Sequence, residues 1–288
     1  MELTNIGTIK KLFEQNGFSF SKTLGQNFLI NPTVCPNIAE QGGCGADVCA
    51  LEIGTGVGVL TRELAARCGK VVAVEIDERL KPILAETLAD LDNVEVIFAD
   101  VMEIDLAKLL EEKFGGKDTV ICANLPYYIT SPVIMKVLES RLPIKSMTVM
   151  VQKEAADRIC AGLGTRECGA ITYAVNYYSE PRVLFRVARG SFMPSPNVDS
   201  AVIRLDIKRG GELSADEEKT LFRLIRAGFS QRRKQLVNPL SAEFKRSKSE
   251  VAELLSSVGL KPTARAEELT LNDYIDLTKR IWREHKIL

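Results

Sequence analysis

The stretch Ala50-Leu51-Glu52-Ile53-Gly54-Thr55-Gly56-Val57-Gly58-Val59-Leu60-Thr61 decides the fold. An apolar, β-rich run over residues 48–53 enters three glycines at alternate positions, and helical spacing begins near Val59. Glycine at a strand-to-helix turn lets the backbone come close to a ligand. A dinucleotide fingerprint needs its third glycine three residues after the second, a place held here by Val59. The dehydrogenase pattern therefore fails. An acidic residue ahead of Gly54-x-Gly56-x-Gly58 suits S-adenosylmethionine, an adenosine joined to an amino acid with no pyrophosphate to cradle. Taken alone, the stretch also fits an ordinary glycine turn of an α/β protein.

Working outward, three further strand ends carry polar groups. The run 70–77 closes on Glu75-Ile76-Asp77, with Glu75 at the spacing from which a carboxylate takes ribose hydroxyls. The run 94–98 leads into Ala99-Asp100, where Asp100 can accept from an adenine amine. The run 119–123 leads into Asn124-Leu125-Pro126-Tyr127. A single acid at a strand end is commonly just solvated. Polar groups on successive strand ends beside a glycine turn are the pattern of a site, since open α/β sheets bind ligands at the carboxyl ends of their strands.

The tetrapeptide has a chemistry of its own. Asn124 brings a side-chain carbonyl, Leu125 a backbone carbonyl, Pro126 a stiff turn without an N–H, and Tyr127 a flat face. Two acceptors converging on an exocyclic amine beside an aromatic wall suit N-methylation of adenine. That amine is a poor nucleophile, because its lone pair is delocalised into the ring. Acceptors favour its tetrahedral form and stabilise the charge that develops on it, and alignment with the methyl donor supplies much of the rest. The base must leave its stack to be reached.

Strands and helices alternate over residues 48–151, the pattern of a parallel sheet covered on both faces. A fifth strand is expected over 146–151, a helix over 152–161 and a loop at 162–165. The runs 181–187 and 198–207 suit an antiparallel pair at the sheet edge. Residues 208–212 mark a boundary, beyond which 216–227, 248–258 and 272–283 have helical spacing, with Pro239 and Pro262 as breakers. The expected domains are 1–208, with an N-terminal helical extension over 1–46, and a helical domain over 209–288. In the first part of the latter, over residues 223–248, Arg223, Arg226, Arg232, Arg233, Lys234, Lys245, Arg246 and Lys248 stand against Glu243 alone. A solvated helix face is one reading; contact with RNA phosphates is the other.

The 288 residues carry 38 basic and 38 acidic side chains, so total charge alone does not announce a nucleic-acid binder. The only histidine is His285, and no two of the seven cysteines form a C-x-x-C pair. This argues against a zinc site and a histidine-based mechanism. The cysteine usage and the absence of a signal sequence point to a reducing cytoplasm, and no apolar run approaches a membrane span.

In order along the chain, Leu24-Gly25-Gln26-Asn27-Phe28-Leu29, Glu52-Ile53-Gly54-Thr55-Gly56, Glu75-Ile76-Asp77, Asp100, Asn124-Leu125-Pro126-Tyr127-Tyr128 and Phe192-Met193-Pro194-Ser195-Pro196-Asn197-Val198-Asp199-Ser200 together resemble the ribosomal RNA adenine dimethyltransferases. Within them the likeness is to the small-subunit (16S) type, and it extends to Phe229-Ser230-Gln231-Arg232-Arg233-Lys234. The resemblance implies a Rossmann-like, class I S-adenosylmethionine-dependent methyltransferase sheet of seven strands with a small C-terminal helical domain. It implies dimethylation of two adjacent adenosines in the loop of the 3′-terminal hairpin of 16S RNA, on the 30S subunit or its precursor, by a monomer. Carried over residue by residue, it assigns Gln26, Asn27, Leu29, Gly54, Glu75, Ile76, Asp100, Val101 and Asn124 to the cofactor, with Gln26 and Asn27 at the methionine carboxylate. It assigns Asn124, Leu125, Pro126 and Tyr127 to the target amine, and Phe192 to stacking on the flipped base; for Tyr127 and Phe192 the other reading is core packing, against which the neighbouring Pro194 and Pro196 place Phe192 in a rigid, exposed loop. RNA contacts fall to Arg223, Arg226, Arg232, Arg233 and Lys234. Two other readings remain: a DNA adenine methyltransferase, and a ribosome-assembly factor that keeps the fold without the activity.

Overall fold

A computed structural model describes residues 1–21 and 25–285. Leu24, the first residue of the Leu24–Leu29 motif, lies outside the described residues. The chain divides into two compact units, Met1–Ala156 with Glu180–Ile207, and Asp157–Ser179 with Lys208–Leu288.

The first unit is a layered α/β structure. In chain order its elements are α1 (Ile6–Gln15), β1 (Phe28–Leu29), α2 (Val34–Gln41), β2 (Cys49–Ile53), α3 (Val59–Ala65), β3 (Lys70–Glu75), α4 (Lys81–Thr87), β4 (Val94–Phe98), α5 (Leu106–Phe114), β5 (Thr119–Asn124), α6 (Tyr127–Glu139), β6 (Ile144–Gln152) and the start of α7 (Lys153–Ile159). After α8 (Ala170–Tyr178), which belongs to the second unit, come β7 (Ser179–Val187), β8 (Phe192–Met193) and β9 (Ser200–Ile207). Seven strands lie in the order β4-β3-β2-β5-β6-β9-β7. The pairings β2–β3, β3–β4, β2–β5 and β5–β6 are parallel, and β9 runs antiparallel to β6. All five residues of β2 and the first five of β5 are buried. That is why these strands read as near-continuous apolar runs rather than alternating ones, with Glu52 of β2 the charged exception. From β2 the chain builds outward through β3 and β4, then returns to β2's other side with β5. The strand order reverses there, and a crevice opens at the carboxyl ends of β2 and β5.

The second unit is helical: α8, α9 (Ala215–Ser230), α10 (Val237–Phe244), α11 (Lys248–Ser257) and α12 (Leu271–His285), with the end of α7. Helices α9 and α11 begin on reciprocal caps, Ser214 with Glu217 and Ser247 with Glu250, which satisfy N–H groups that the first turn leaves over. Its core centres on Tyr173 of α8, whose ring meets Tyr274 at 5.1 Å and Phe229 at 5.4 Å between centroids.

Three expectations change. Residues 157–179 group with the helical unit, so it is not a purely C-terminal segment. Helix α8 was not read from the sequence because Ala170-Ile171-Thr172-Tyr173-Ala174-Val175-Asn176-Tyr177-Tyr178 is rich in residues that favour strands. Tertiary packing of Tyr173 decides the matter. Pro239 does not break a helix but sits in the first turn of α10, where its missing N–H removes no intrahelical bond. Among the described residues no helix is long and apolar enough to cross a membrane.

Candidate active site

The crevice in the first unit is a cleft of about 1120 Å³. Its floor is the turn between β2 and α3. Gly54 holds φ +83° while its N–H donates to the Val74 carbonyl at 2.9 Å. A β-carbon on Gly54 would stand 3.4 Å from the carbonyl oxygen of Asn124. The glycine turn and the Asn124 tetrapeptide are thus in contact, although 70 residues separate them in the chain. Gly58, at φ +91°, starts α3, and a β-carbon there would fall 2.9 Å from the Leu88 side chain. Neither place accepts a side chain without strain.

Every residue assigned above to the cofactor or the target base lines this cleft. Glu75, buried at the end of β3, accepts from the Gly56 N–H at 3.1 Å and from the Asp77 N–H at 2.9 Å, one on each carboxylate oxygen. Burial raises its pKa above the ordinary carboxylate value, while those backbone hydrogen bonds oppose the rise. Asp100 accepts from the Met102 N–H at 2.8 Å through one oxygen. Ile76 is exposed, whereas Val101 and Leu29 are buried. Asn27 donates to the Gly25 carbonyl at 3.0 Å, a bond that fixes its amide.

Gln26 is also tied into the fold. Its amide nitrogen donates to Asp77 at 2.8 Å and its oxygen accepts from the Ser21 N–H at 3.1 Å. Both ends are engaged, at the β3 side of the cleft. The side chain pins its own segment to Asp77, and its amide nitrogen keeps one further N–H.

At the end of β5 the side-chain amide of Asn124 has no hydrogen-bond partner among the described residues. Pro126 caps α6, and its carbonyl accepts from the Ile129 N–H and the Thr130 hydroxyl, both at 3.2 Å. The Tyr127 hydroxyl is 2.7 Å from Ser200 Oγ at the start of β9, which sets the ring's orientation. Leu125 is buried beneath the turn. Phe192 is not in an exposed loop: it is 4% exposed and forms the short β8 ladder, paired across from Leu29 of β1. The antiparallel ladder between segments far apart in sequence draws the ring into the cleft wall, and no local pattern around Pro194 signals that pairing.

One residue of the cleft stands out that the sequence left without a contact. Glu52 of β2 is fully buried, and neither carboxylate oxygen reaches a donor within hydrogen-bonding geometry. Burial pushes its carboxyl up to about 8; the Thr61 hydroxyl pulls the other way, and the charge of Glu75 adds to the rise. The neighbouring Thr55 hydroxyl is also buried and unpartnered. An orphaned carboxylate in a cleft wall fits a cationic group such as the ammonium of an amino acid. The signal was there, as the acid preceding Gly54, but spacing alone did not tell which part of a ligand it would meet.

In the helical unit the basic residues split. Arg223 pairs with Glu243 and lies over the Phe244 ring at 4.7 Å. Arg232 donates to the Arg166 carbonyl at 2.6 Å. Both guanidinium groups are thereby engaged within the unit. Arg226, Arg233 and Lys234 are exposed and have no ion pair among the described residues.

Comparison with known proteins agrees with this chemistry. A family model described as "Ribosomal RNA adenine dimethylase" matches residues 17–282. A protein of Alkaliphilus oremlandii named ribosomal RNA small subunit methyltransferase A is 46% identical over 266 residues, covering 92% of this chain and 93% of the relative. Its namesake in Geobacillus thermodenitrificans is 45% identical over 284 residues, 97% of each chain. Among solved structures, a dimethyladenosine transferase from Plasmodium falciparum superposes with a TM-score of 0.75 at 26% identity, over 90% of this chain and 98% of the other. The 23S rRNA methyltransferase ErmE does so with 0.67 at 27%, over 88% and 99%.

Proposed function

This chain belongs to the ribosomal RNA adenine dimethylase family, and from that premise we propose that it dimethylates two adjacent adenosines in the loop of the 3′-terminal hairpin of 16S RNA, with S-adenosylmethionine as the methyl donor and the 30S subunit or its precursor as the substrate particle. One observation carries the reading: the unpartnered amide of Asn124 stands beside the glycine turn, where a β-carbon on Gly54 would lie 3.4 Å from the Asn124 carbonyl oxygen. A base held by the tetrapeptide and a ligand held by the turn share one small space.

The residues fit the donor. Glu75 keeps acceptor capacity for ribose hydroxyls, because each of its oxygens takes only one backbone N–H. Asp100 has a second oxygen for the adenine amine, and Glu52 would take the ammonium. When bound, S-adenosylmethionine supplies an electrophilic methyl on a sulfonium. The protein does the rest. Asn124 Oδ1 and the Leu125 carbonyl accept from the target amine, turn its lone pair toward the methyl and stabilise the positive charge that develops on nitrogen. The proton then leaves to water, so no strong base is needed. Tyr127, fixed by Ser200, and Phe192, fixed in its ladder, provide apolar walls for the extruded base. Arg226, Arg233 and Lys234 are free to meet phosphates.

The test is methyl transfer from labelled donor to three acceptors: small-subunit particles lacking the modification, large-subunit RNA and DNA. Label confined to the first, as two dimethyladenosines by mass, is expected. Transfer to DNA or to large-subunit RNA instead, or transfer to none, would overturn the reading.

A further inference from the structure

Two consecutive tyrosines open α6 in opposite surroundings. Tyr127 is half-buried and hydrogen-bonded to Ser200. Tyr128 lines the same cleft but is 61% exposed, and its hydroxyl has no partner among the described residues. Successive residues on a helix diverge by about 100°, so one ring is committed to the interior while the other stands at the mouth. The Tyr128 ring lies over Gly25. Its Cδ1 and Cε1 lie 3.6 Å from where a β-carbon on Gly25 would stand, and Gly25, at φ +57°, carries none. Pro126 stiffens the turn from which the ring projects.

A single exposed apolar side chain is ordinary on a protein surface. An exposed ring at the mouth of a cleft that must admit one base of a strand is a different matter. Turning a nucleotide into the cleft strips its neighbour of a stacking face, and aromatic rings on proteins supply such faces to unpaired bases. Resting on the function proposed above, the demand is sharper still. The two target adenosines are adjacent, so one waits at the mouth whenever the other is inside. We propose that Tyr128 is a stacking platform for the adenosine that waits. It is a positioning residue acting through the ring, and it makes the pair of adenosines, rather than a lone one, the preferred target.

The experiment compares wild type, Tyr128→Ala and Tyr128→Phe on two particles: one with the adjacent adenosines, one with a single adenosine beside a uridine, whose smaller base stacks less. On the paired particle, Tyr128→Ala should lower kcat/KM roughly tenfold, mainly through KM, and Tyr128→Phe should match wild type. On the adenosine–uridine particle the loss should shrink to about twofold. Cofactor affinity by calorimetry and the thermal midpoint should not move in either variant, which separates stacking from a role in the fold. The inference falls if Tyr128→Ala equals wild type on the paired particle, if Tyr128→Phe loses as much as Tyr128→Ala, if both particles show the same loss, or if cofactor affinity or the thermal midpoint drops with the rate. Failure of the wild type itself on small-subunit particles would overturn the underlying function and this inference with it; wild-type activity with an unaffected Tyr128→Ala would overturn this inference alone.

Discussion

The carboxyl ends of β2 and β3 carry two buried acids in the wall of one cleft, and the protein treats them in opposite ways. Glu75 has a backbone N–H on each oxygen. Glu52, one strand away, has none on either. Glu75 is part of the turn that it stabilises, and a ligand would find it already in place. Glu52 is held in an apolar setting that resists its charge, as the rise of its carboxyl to about 8 records. Groups that the fold satisfies serve structure and ligand together, whereas groups that it leaves unsatisfied serve the ligand at the expense of the empty fold. Asn124 belongs with Glu52 in this division, and Gln26 and Asp77 belong with Glu75.

The division can be broken most directly at Asn124. Because its amide supports nothing in the fold, Asn124→Ala should lower methyl transfer by roughly 100-fold or more and leave the thermal midpoint in place. Turnover at saturating cofactor, beside a melting curve, checks both halves. Near-normal turnover would remove Asn124 from the reaction.

The two acids sharpen it. For Glu52 the folded-state pKa lies above the value of 4.5 expected of a free carboxyl. The stability due to its bound proton is therefore fully present below about pH 4.5 and is lost as pH rises through about 8. Glu52→Gln should match wild type near pH 4.5 and exceed it at pH 8.5 by on the order of 4 kcal/mol, while binding the cofactor more weakly. Glu75→Ala should weaken cofactor binding by roughly 1.5–3 kcal/mol, the scale of hydrogen bonds to a charged group, and it should also lower stability, because it strands the N–H groups of Gly56 and Asp77. Denaturant titration at both pH values and calorimetry of cofactor binding separate the cases. If the two variants shift stability in the same direction at pH 8.5, the contrast between the acids is wrong.

The smallest effects belong to the helical unit. Changing Arg232, Arg233 and Lys234 together to Ala should leave cofactor affinity alone and make RNA binding less sensitive to salt, by up to about one unit of slope per lost phosphate contact. Arg232 is already bonded to the Arg166 carbonyl, so the reduction should come mainly from Arg233 and Lys234. An unchanged slope would return all three to an ordinary solvated surface.

How much could be read beforehand depended on how local each feature is. Glycines at a turn, acids at strand ends and Asn124-Leu125-Pro126-Tyr127 announce themselves within a few residues, and Gly54, Gly56, Glu75, Asp100 and the tetrapeptide line the cleft. Helix α8 and the buried position of Phe192 do not, because each is decided by partners far away: Tyr274 and Phe229 for Tyr173, Leu29 for Phe192. That residues 157–179 group with the helical unit was missed for the same reason, since a chain that leaves a sheet unit and returns to it looks locally like a long connection. Charge was legible as composition only. That Arg223 is taken up by Glu243 while Arg226 is free needed the fold.

The hydrogen bond between Tyr127 and Ser200 has a consequence in time as well as in space. It joins residues 73 positions apart, and the pairing of Leu29 with Phe192 spans still more of the chain. The strands β2 to β6 are complete by Gln152, but the cleft lacks a wall and the tyrosine lacks its anchor until synthesis has passed Ser200. Contacts of such long sequence separation form late. The growing polypeptide thus carries the central strands of its sheet before it carries the whole of its site.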